Sequence, residues 1–381
     1  MQPTDLQQPV NVDPTAPQAK GGIAGRRCGQ CGGDVRFKPG TDAVECKFCS
    51  YLEQIVVAPD RVVHEYDLDT ALTAAPTGAA SELSAGGREV ECKNCGARTV
   101  VTGQATRCAF CDAAMVVEIP QESRQILPES VLPFAIDAEA AKAAFRAWLK
   151  SRWFAPGDLV RRSKHQGMDG MYLPYWTFDA QTSTRYTGER GEHYYVTETY
   201  TDSQGNTQTR QVQRTRWYSA SGTVHVAFDD ILVCASKSLP EKLVDKLEPW
   251  DIPALKPFDD RYLAGFMAER YAVDLQSGFG RATEKMAPAI TSAIRRDIGG
   301  DEQRIHSTST SYYDKRFRHT LLPLWISAFR YHEKVFRVTV NARTSEVQGE
   351  RPWSWIKITL FVLAILALII GIIYLYQSNQ G

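Results

Sequence analysis

The chain has 381 residues, 43% of them hydrophobic and 23% charged, with 44 basic side chains against 44 acidic ones. That length carries two or three domains and a sizeable core. A balanced charge argues against a protein that coats nucleic acid, which needs a basic excess.

Residues 1–25, rich in Gln, Pro, Thr and Ala, contain no apolar run, so they read as a disordered leader and not as a signal peptide. With no export signal, nine cysteines point to metal ligation in a reducing compartment and not to disulfides.

Eight of the nine fall into two quartets. Cys28 and Cys31 are answered by Cys46 and Cys49, and Cys92 and Cys95 by Cys108 and Cys111. A CxxC turn puts two sulfurs on one side of a metal, and a hairpin of about a dozen residues brings the second pair to the other side. Gly32 and Gly96 follow the first pair of each quartet, where positive φ lets amides face the sulfurs. Short strands are expected at 34–37 and 43–45 in the first quartet, and at 98–101 and 105–107 in the second. A redox dithiol or an iron–sulfur cluster fits one CxxC, but the repeated quartet favours two zinc ribbons, 26–58 and 91–120, each holding one structural Zn²⁺. Four protein ligands leave no open coordination position for catalysis. Residues 1–120 carry eleven basic and fifteen acidic side chains, so the ribbons are expected to contact protein before nucleic acid.

Residues 59–90, Ala-, Gly- and Ser-rich from 67 to 88, read as a linker. The bulk domain, 121–352, reads as α+β with antiparallel sheets. Asp137 caps a helix through about Arg152 that carries Ala141, Phe145, Trp148 and Leu149 on one face. Further helices are expected at 239–247, 260–273 and 281–298, the last ending at Gly299-Gly300. Strands 193–200 and 207–218 flank a polar turn at 202–206. Strands 322–330, 334–340 and 345–349 form a meander. The words Leu173-Pro174-Tyr175-Trp176 and Leu322-Pro323-Leu324-Trp325 open similar segments, which fits an internal duplication and fits coincidence equally.

Residues 358–376 are nineteen in a row without a charge, flanked by Trp353 and Trp355 on one side and Tyr374 and Tyr376 on the other. This is the length and aromatic framing of a transmembrane helix, with bilayer contact expected through 356–376 and the anchor spanning 353–377. Arg351 and Lys357 precede the run and no charge follows it, so the positive-inside bias puts the bulk in the cytoplasm as a single-pass tail anchor.

No phosphate loop, dinucleotide fingerprint, HExxH or GxSxG is present, and the seven histidines are scattered. Cys234 lies in an apolar run with no base nearby in sequence and reads as a buried small hydrophobe. The tryptophans read as core or interface. The expectation is therefore a protein that is not an enzyme.

The quartets resemble a bacterial family of TFIIB-type zinc-ribbon membrane proteins, as do Met171–Phe178, Pro249-Trp250-Asp251, Asp297–Asp301, Leu321–Trp325 and Gly349–Pro352. The turn at 340–345 lacks the Gly that the family pattern leads one to expect. The resemblance implies an adaptor on the inner membrane that recruits a flotillin-like SPFH protein in a membrane-stress response, with oligomers open. The alternative is a membrane-tethered nucleic-acid-binding protein, as the primosomal or helicase-like labels of such relatives suggest; without motor motifs those labels look like misnomers.

Overall fold

The computed structural model describes residues 27–58, 61–73, 88–101, 107–111, 113, 116–118, 126–157, 159, 167–201, 203, 205–331 and 334–378. The leader, residues 74–87 of the expected linker and the start of the expected strand 105–107 lie outside them; Arg107 sits in a bend.

The chain opens with a three-stranded antiparallel sheet, β1 (Val35–Phe37), β2 (Ala43–Cys46) and β3 (Leu52–Gln54). The third strand had no sequence signal. The expected linker is folded in part: β4 (Tyr66–Asp67) pairs with a later strand and leads into helix α1 (Leu68–Thr73). Asp67 accepts from the Thr70 amide at 2.7 Å, and Leu68 is fully buried. One large side chain in a core outweighs a linker-like composition.

Strands β5 (Arg88–Cys92), β6 (Arg98–Val101) and β7 (Val116–Glu118) form the second cysteine hairpin, with β5 in the middle. After β8 (Ser130–Val131) comes α2 (Ala138–Lys150), capped as expected by Asp137, which accepts from the Ala140 amide at 2.8 Å.

The frame of the body is two strands longer than their local signals suggested. The expected strands 193–200 and 207–218 are the distal ends of β9 (Asp169–Thr201) and β10 (Thr207–Cys234). At about 3.3 Å per residue, β9 extends on the order of 100 Å along its contour.

The expected helix at 239–247 is α3 (Glu241–Val244) followed by a 3₁₀ turn. The expected helix at 260–273 is absent. Asp260–Leu263 makes one 3₁₀ turn, Gly265 takes φ 84°, and Met267–Glu269 is strand β12, which follows the two-residue β11 (Lys256–Pro257). Positive φ breaks a helix, and β12 gains partners on both sides, antiparallel with β6 and parallel with β9.

Helix α4 runs Leu275–Ile298, six residues earlier than expected, because Asp274 caps it by accepting from the Ser277 amide at 2.8 Å. Gly278 is a close-approach residue: a Cβ there would lie 2.8 Å from the Trp176 ring. The stripe Ala282, Met286, Ile290, Ile294 and Ile298 is buried against Trp176, Phe178, Tyr186 and Val224. Each large side chain so buried stabilises by about 1.5–3 kcal/mol. Gly299 ends the helix at φ 67°.

β13 (Glu302–Tyr331), β14 (Lys334–Asn341) and β15 (Val347–Gly349) contain the meander, whose first strand starts twenty residues earlier than expected. In its Gly-less turn Ser345 takes φ 65°, while Asn341 Oδ1 accepts from the Arg343 and Thr344 amides. The two Leu-Pro words meet across the sheet, Leu173 opposite Leu322. β8 joins β13 in parallel, so the large sheet is mixed, in the order β11-β8-β13-β9-β12-β6-β5-β7, with β10 on β9. The fold is thus α+β, ending in the apolar helix α5 (Trp355–Ser378).

Candidate metal centres

The two cysteine quartets assemble in space as their spacing requires. In the first, Sγ–Sγ distances are 3.5 Å for Cys28–Cys49 and 3.4 Å for Cys31–Cys46. In the second they are 3.6 Å for Cys92–Cys111 and 3.7 Å for Cys95–Cys108. Within each group all sulfurs lie within 4.8 Å of one another. With metal–sulfur bonds of about 2.3 Å, a tetrahedron has edges of about 3.8 Å. All eight thiols are free, and the distances suit a four-coordinate metal ion without a disulfide.

The local backbone explains the assembly. Gly32 and Gly96 both take φ 72°, and their amides donate to the carbonyls of Cys28 and Cys92 at 2.9 and 2.8 Å. That turn folds each first pair back on itself, and the Gln30 amide reaches Cys28 Sγ at 3.4 Å. Ser50, in the corresponding place after Cys49, takes φ 56°, and its amide donates to the Cys46 carbonyl at 3.1 Å. The sequence reading missed Ser50, although its offset from Cys49 matches that of Gly32 from Cys31.

Amides and neighbouring thiols make one sulfur of each quartet acidic, while Cys49, Cys108 and Cys111 are held above the usual thiol range. Cys46 is pulled down to about 6, chiefly by the amides of Cys49 and Phe48. Cys95 is pulled down to about 5, chiefly by its hydrogen bond with Cys108. Thiolates prepared in this way are metal ligands.

The surroundings of the two sites differ. The first lies at the surface: Cys31 and Cys49 are exposed, and the Phe48 ring beside them is 74% exposed. Its sheet rests on the body through Phe37, whose ring is 5.4 Å from that of Tyr262 and whose amide donates to the Ala264 carbonyl at 2.8 Å. Among the described residues, no strand of this sheet pairs with the large one.

The second lies in the core. Cys92, Cys108, Cys111 and Phe110 share an apolar cluster with Met171, Tyr175 and Leu322. Arg337 Nε donates to the Phe110 carbonyl at 2.7 Å, and β6 is hydrogen-bonded to β12. Two buried carboxylates stand beside this hairpin. Glu89 Oε2 lies 2.9 Å from Arg270 Nε, with both side chains almost wholly buried. Glu269 accepts from the Ser238 hydroxyl, and burial pushes it up to about 7. Neither had a sequence signal, because burial of a charge depends on strands far apart in the chain.

A third group, Glu65, Asp179 and Asp230, also brings its oxygens within 4.8 Å. Arg318 pairs with Glu65 at 3.2 Å and with Asp230, so this group is an ion-pair node at two β-bulges. Cys234 is buried, and burial pushes its thiol up to about 12. Of the histidines, His319 is buried against Trp176, while His193 and His306 pair with Glu302 and Glu189. Trp176, Trp250 and Trp325 are core residues; Trp153 is 74% exposed.

Helix α5 is long and apolar enough to cross a membrane, and none of its apolar stretch is buried.

No known protein family and no solved structure matches the chain. It is 28% identical over 239 residues to the uncharacterized protein YdjG of Bacillus subtilis (strain 168), an alignment that covers 61% of this chain and, at 66%, just under two thirds of that protein.

Proposed function

We propose that this chain is a membrane-anchored, zinc-binding adaptor without catalysis of its own, holding a protein partner at the cytoplasmic face of a bacterial inner membrane. The observation that carries the reading is the pairing of two closed four-thiolate sites with one unburied apolar helix. An all-thiolate tetrahedral set suits Zn²⁺, and a site filled by protein ligands serves structure. On this reading the hairpins are zinc ribbons and the anchor is α5. Arg351 and Lys357 at its start support the cytoplasmic placement.

The β9–β10–β13 sheet supports a docking role. α4 covers one face; the other carries exposed Gln181, Arg185, Thr187, Ser221, Thr223 and Ser309. Among the described residues β10 pairs only with β9, which leaves a long edge open to an added strand. The family resemblance makes a flotillin-like SPFH protein the first partner to try.

Affinity purification of the full-length chain in mild detergent tests this reading. We expect two zinc ions per chain and a co-purifying membrane-associated protein of the SPFH type. Salt-sensitive nucleic acid with no protein partner would overturn the adaptor role in favour of the tethered nucleic-acid reading.

A further inference from the structure

Where the body meets α5, the chain makes a short aromatic loop at Trp153-Phe154-Ala155. The Trp153 ring lies 6.3 Å from Phe361 and the Phe154 ring 5.4 Å from it, both centroid to centroid. Phe361 lies three residues inside the uncharged run that opens at Ile358, about 4.5 Å along the axis at 1.5 Å per residue. A helix that crosses a bilayer along that run therefore carries Trp153 and Phe154 to the boundary between headgroups and acyl chains.

The carbonyls of the loop are ready for a place without water. All three of its carbonyls are capped by protein: Trp153 and Ala155 accept from Lys357 Nζ at 3.2 and 2.8 Å, and Phe154 accepts from the Ser354 amide at 2.8 Å. A backbone entering lipid must have its polar groups satisfied in this way. An exposed loop facing water has no such need, yet the Trp153 side chain itself is 74% exposed.

The rim is cationic. Arg152 stacks over Trp148 at 4.9 Å, and Arg351 over Trp353 at 4.4 Å. Among the described residues neither takes part in an ion pair, and Arg351 Nη1 has no hydrogen-bond partner. Burial, and then the charge on Arg152, hold Arg351 below its usual range, as two cations without an anion between them would be.

We propose that the Trp153–Ala155 loop is a second membrane contact, inserted beside α5 and rimmed by Arg152 and Arg351 for anionic phospholipid headgroups, so that the body is seated on the bilayer and not hung from a free tether. The inference rests on α5 being transmembrane.

The test places the photo-crosslinker p-benzoylphenylalanine at position 153, at Leu368 in mid-helix, or at Tyr195 on the distal hairpin. Full-length protein is reconstituted in vesicles of phosphatidylglycerol and phosphatidylethanolamine, and lipid adducts are read by mass spectrometry. We expect adducts at 153 and 368 and none at 195. Adducts at 368 without any at 153 overturn the second contact and leave the anchor standing. No adduct at 368 overturns the transmembrane reading, and the inference with it. In a further arm, Arg152→Glu with Arg351→Glu should lower the yield at 153 roughly fivefold while sparing 368; an unchanged yield overturns the headgroup role. Because 368 and 195 are read in the same preparations, misfolding of a variant is seen as lost adducts at 368 or new ones at 195.

Discussion

The two cysteine quartets present the same ligand set at nearly the same spacing, yet they occupy opposite environments. The first stands outboard on a three-stranded sheet with two exposed thiols; the second is part of the large sheet, its thiols packed among core side chains. Metal-binding free energy is folding free energy for whatever the site holds together. At the first site that is one small sheet; at the second it is the junction of β5, β6, β12 and β9. Equal chemistry therefore carries unequal structural weight.

Replacing ligands gives the largest contrast. Cys92→Ser with Cys111→Ser should cost the body about 5 kcal/mol or more and lower the calorimetric Tm by about 10–20 °C. The matching pair Cys46→Ser and Cys49→Ser should remove one metal ion and leave the main transition within a few degrees, about 3 °C. Equal losses from both pairs would break the comparison.

Next in size is Glu89→Ala, which takes the carboxylate from Arg270 beside the second hairpin. Breaking a buried ion pair costs about 3–5 kcal/mol, read as a shift in denaturation midpoint. Lys38→Ala, which removes the half-exposed Lys38–Glu45 pair at the first site, should change stability by less than about 1 kcal/mol.

Acid sharpens the contrast once its background is known. Cys46 and Cys95 are lowered to about 6 and about 5 while Cys49, Cys108 and Cys111 are raised, so protons compete for the ligands of both sites over a wide range and metal affinity falls as pH falls. Asp179 acts in the other direction: burial raises it to about 6, so its folded form binds a proton more readily than the unfolded chain does. Its share of stability therefore rises as pH drops from 6 toward 4. Asp179→Asn should raise Tm at pH 7.5 by a few degrees, about 3 °C, with the gain shrinking below pH 6 and gone only below the unfolded value of 3.8; thermal melts against pH check this. Acid loss of stability then belongs to the thiolates, to carboxylates held low by their hydrogen bonds, such as Asp67 to Thr70 and Asp274 to Ser277, and to buried His319, which burial holds at about 4.

The turns act on metal affinity and not on the main transition. Ser50→Gly relieves a side chain at φ 56° and should tighten the first site by about 1 kcal/mol. Gly96→Ala imposes the same cost at φ 72° and should weaken the second by about as much. Chelator competition measures both.

What was legible in the sequence was what repeats at short range. The quartets, the Asp137 cap, the apolar run of α5 and the end of the meander are local patterns. Gly278 and Gly280 hid the first turns of α4, because close packing on Trp176, and not propensity, decides that segment. The 260–273 segment has helical periodicity but becomes β12, since two strands from distant parts of the chain wait on either side. The length of β9 and β10 was hidden for the same reason: β13 and α4 support strands whose own alternation is plain only near the turn. Nothing local distinguishes the embedded quartet from the outboard one.

The most direct measurement follows metal release under a chelator together with amide hydrogen exchange in β9 and β13. We expect two metal ions per chain leaving in two phases, the faster one missing in Cys46→Ser, with β9 and β13 protected until the slower one leaves. A single phase, or a fast phase that survives in Cys46→Ser, would contradict the unequal roles of the two sites.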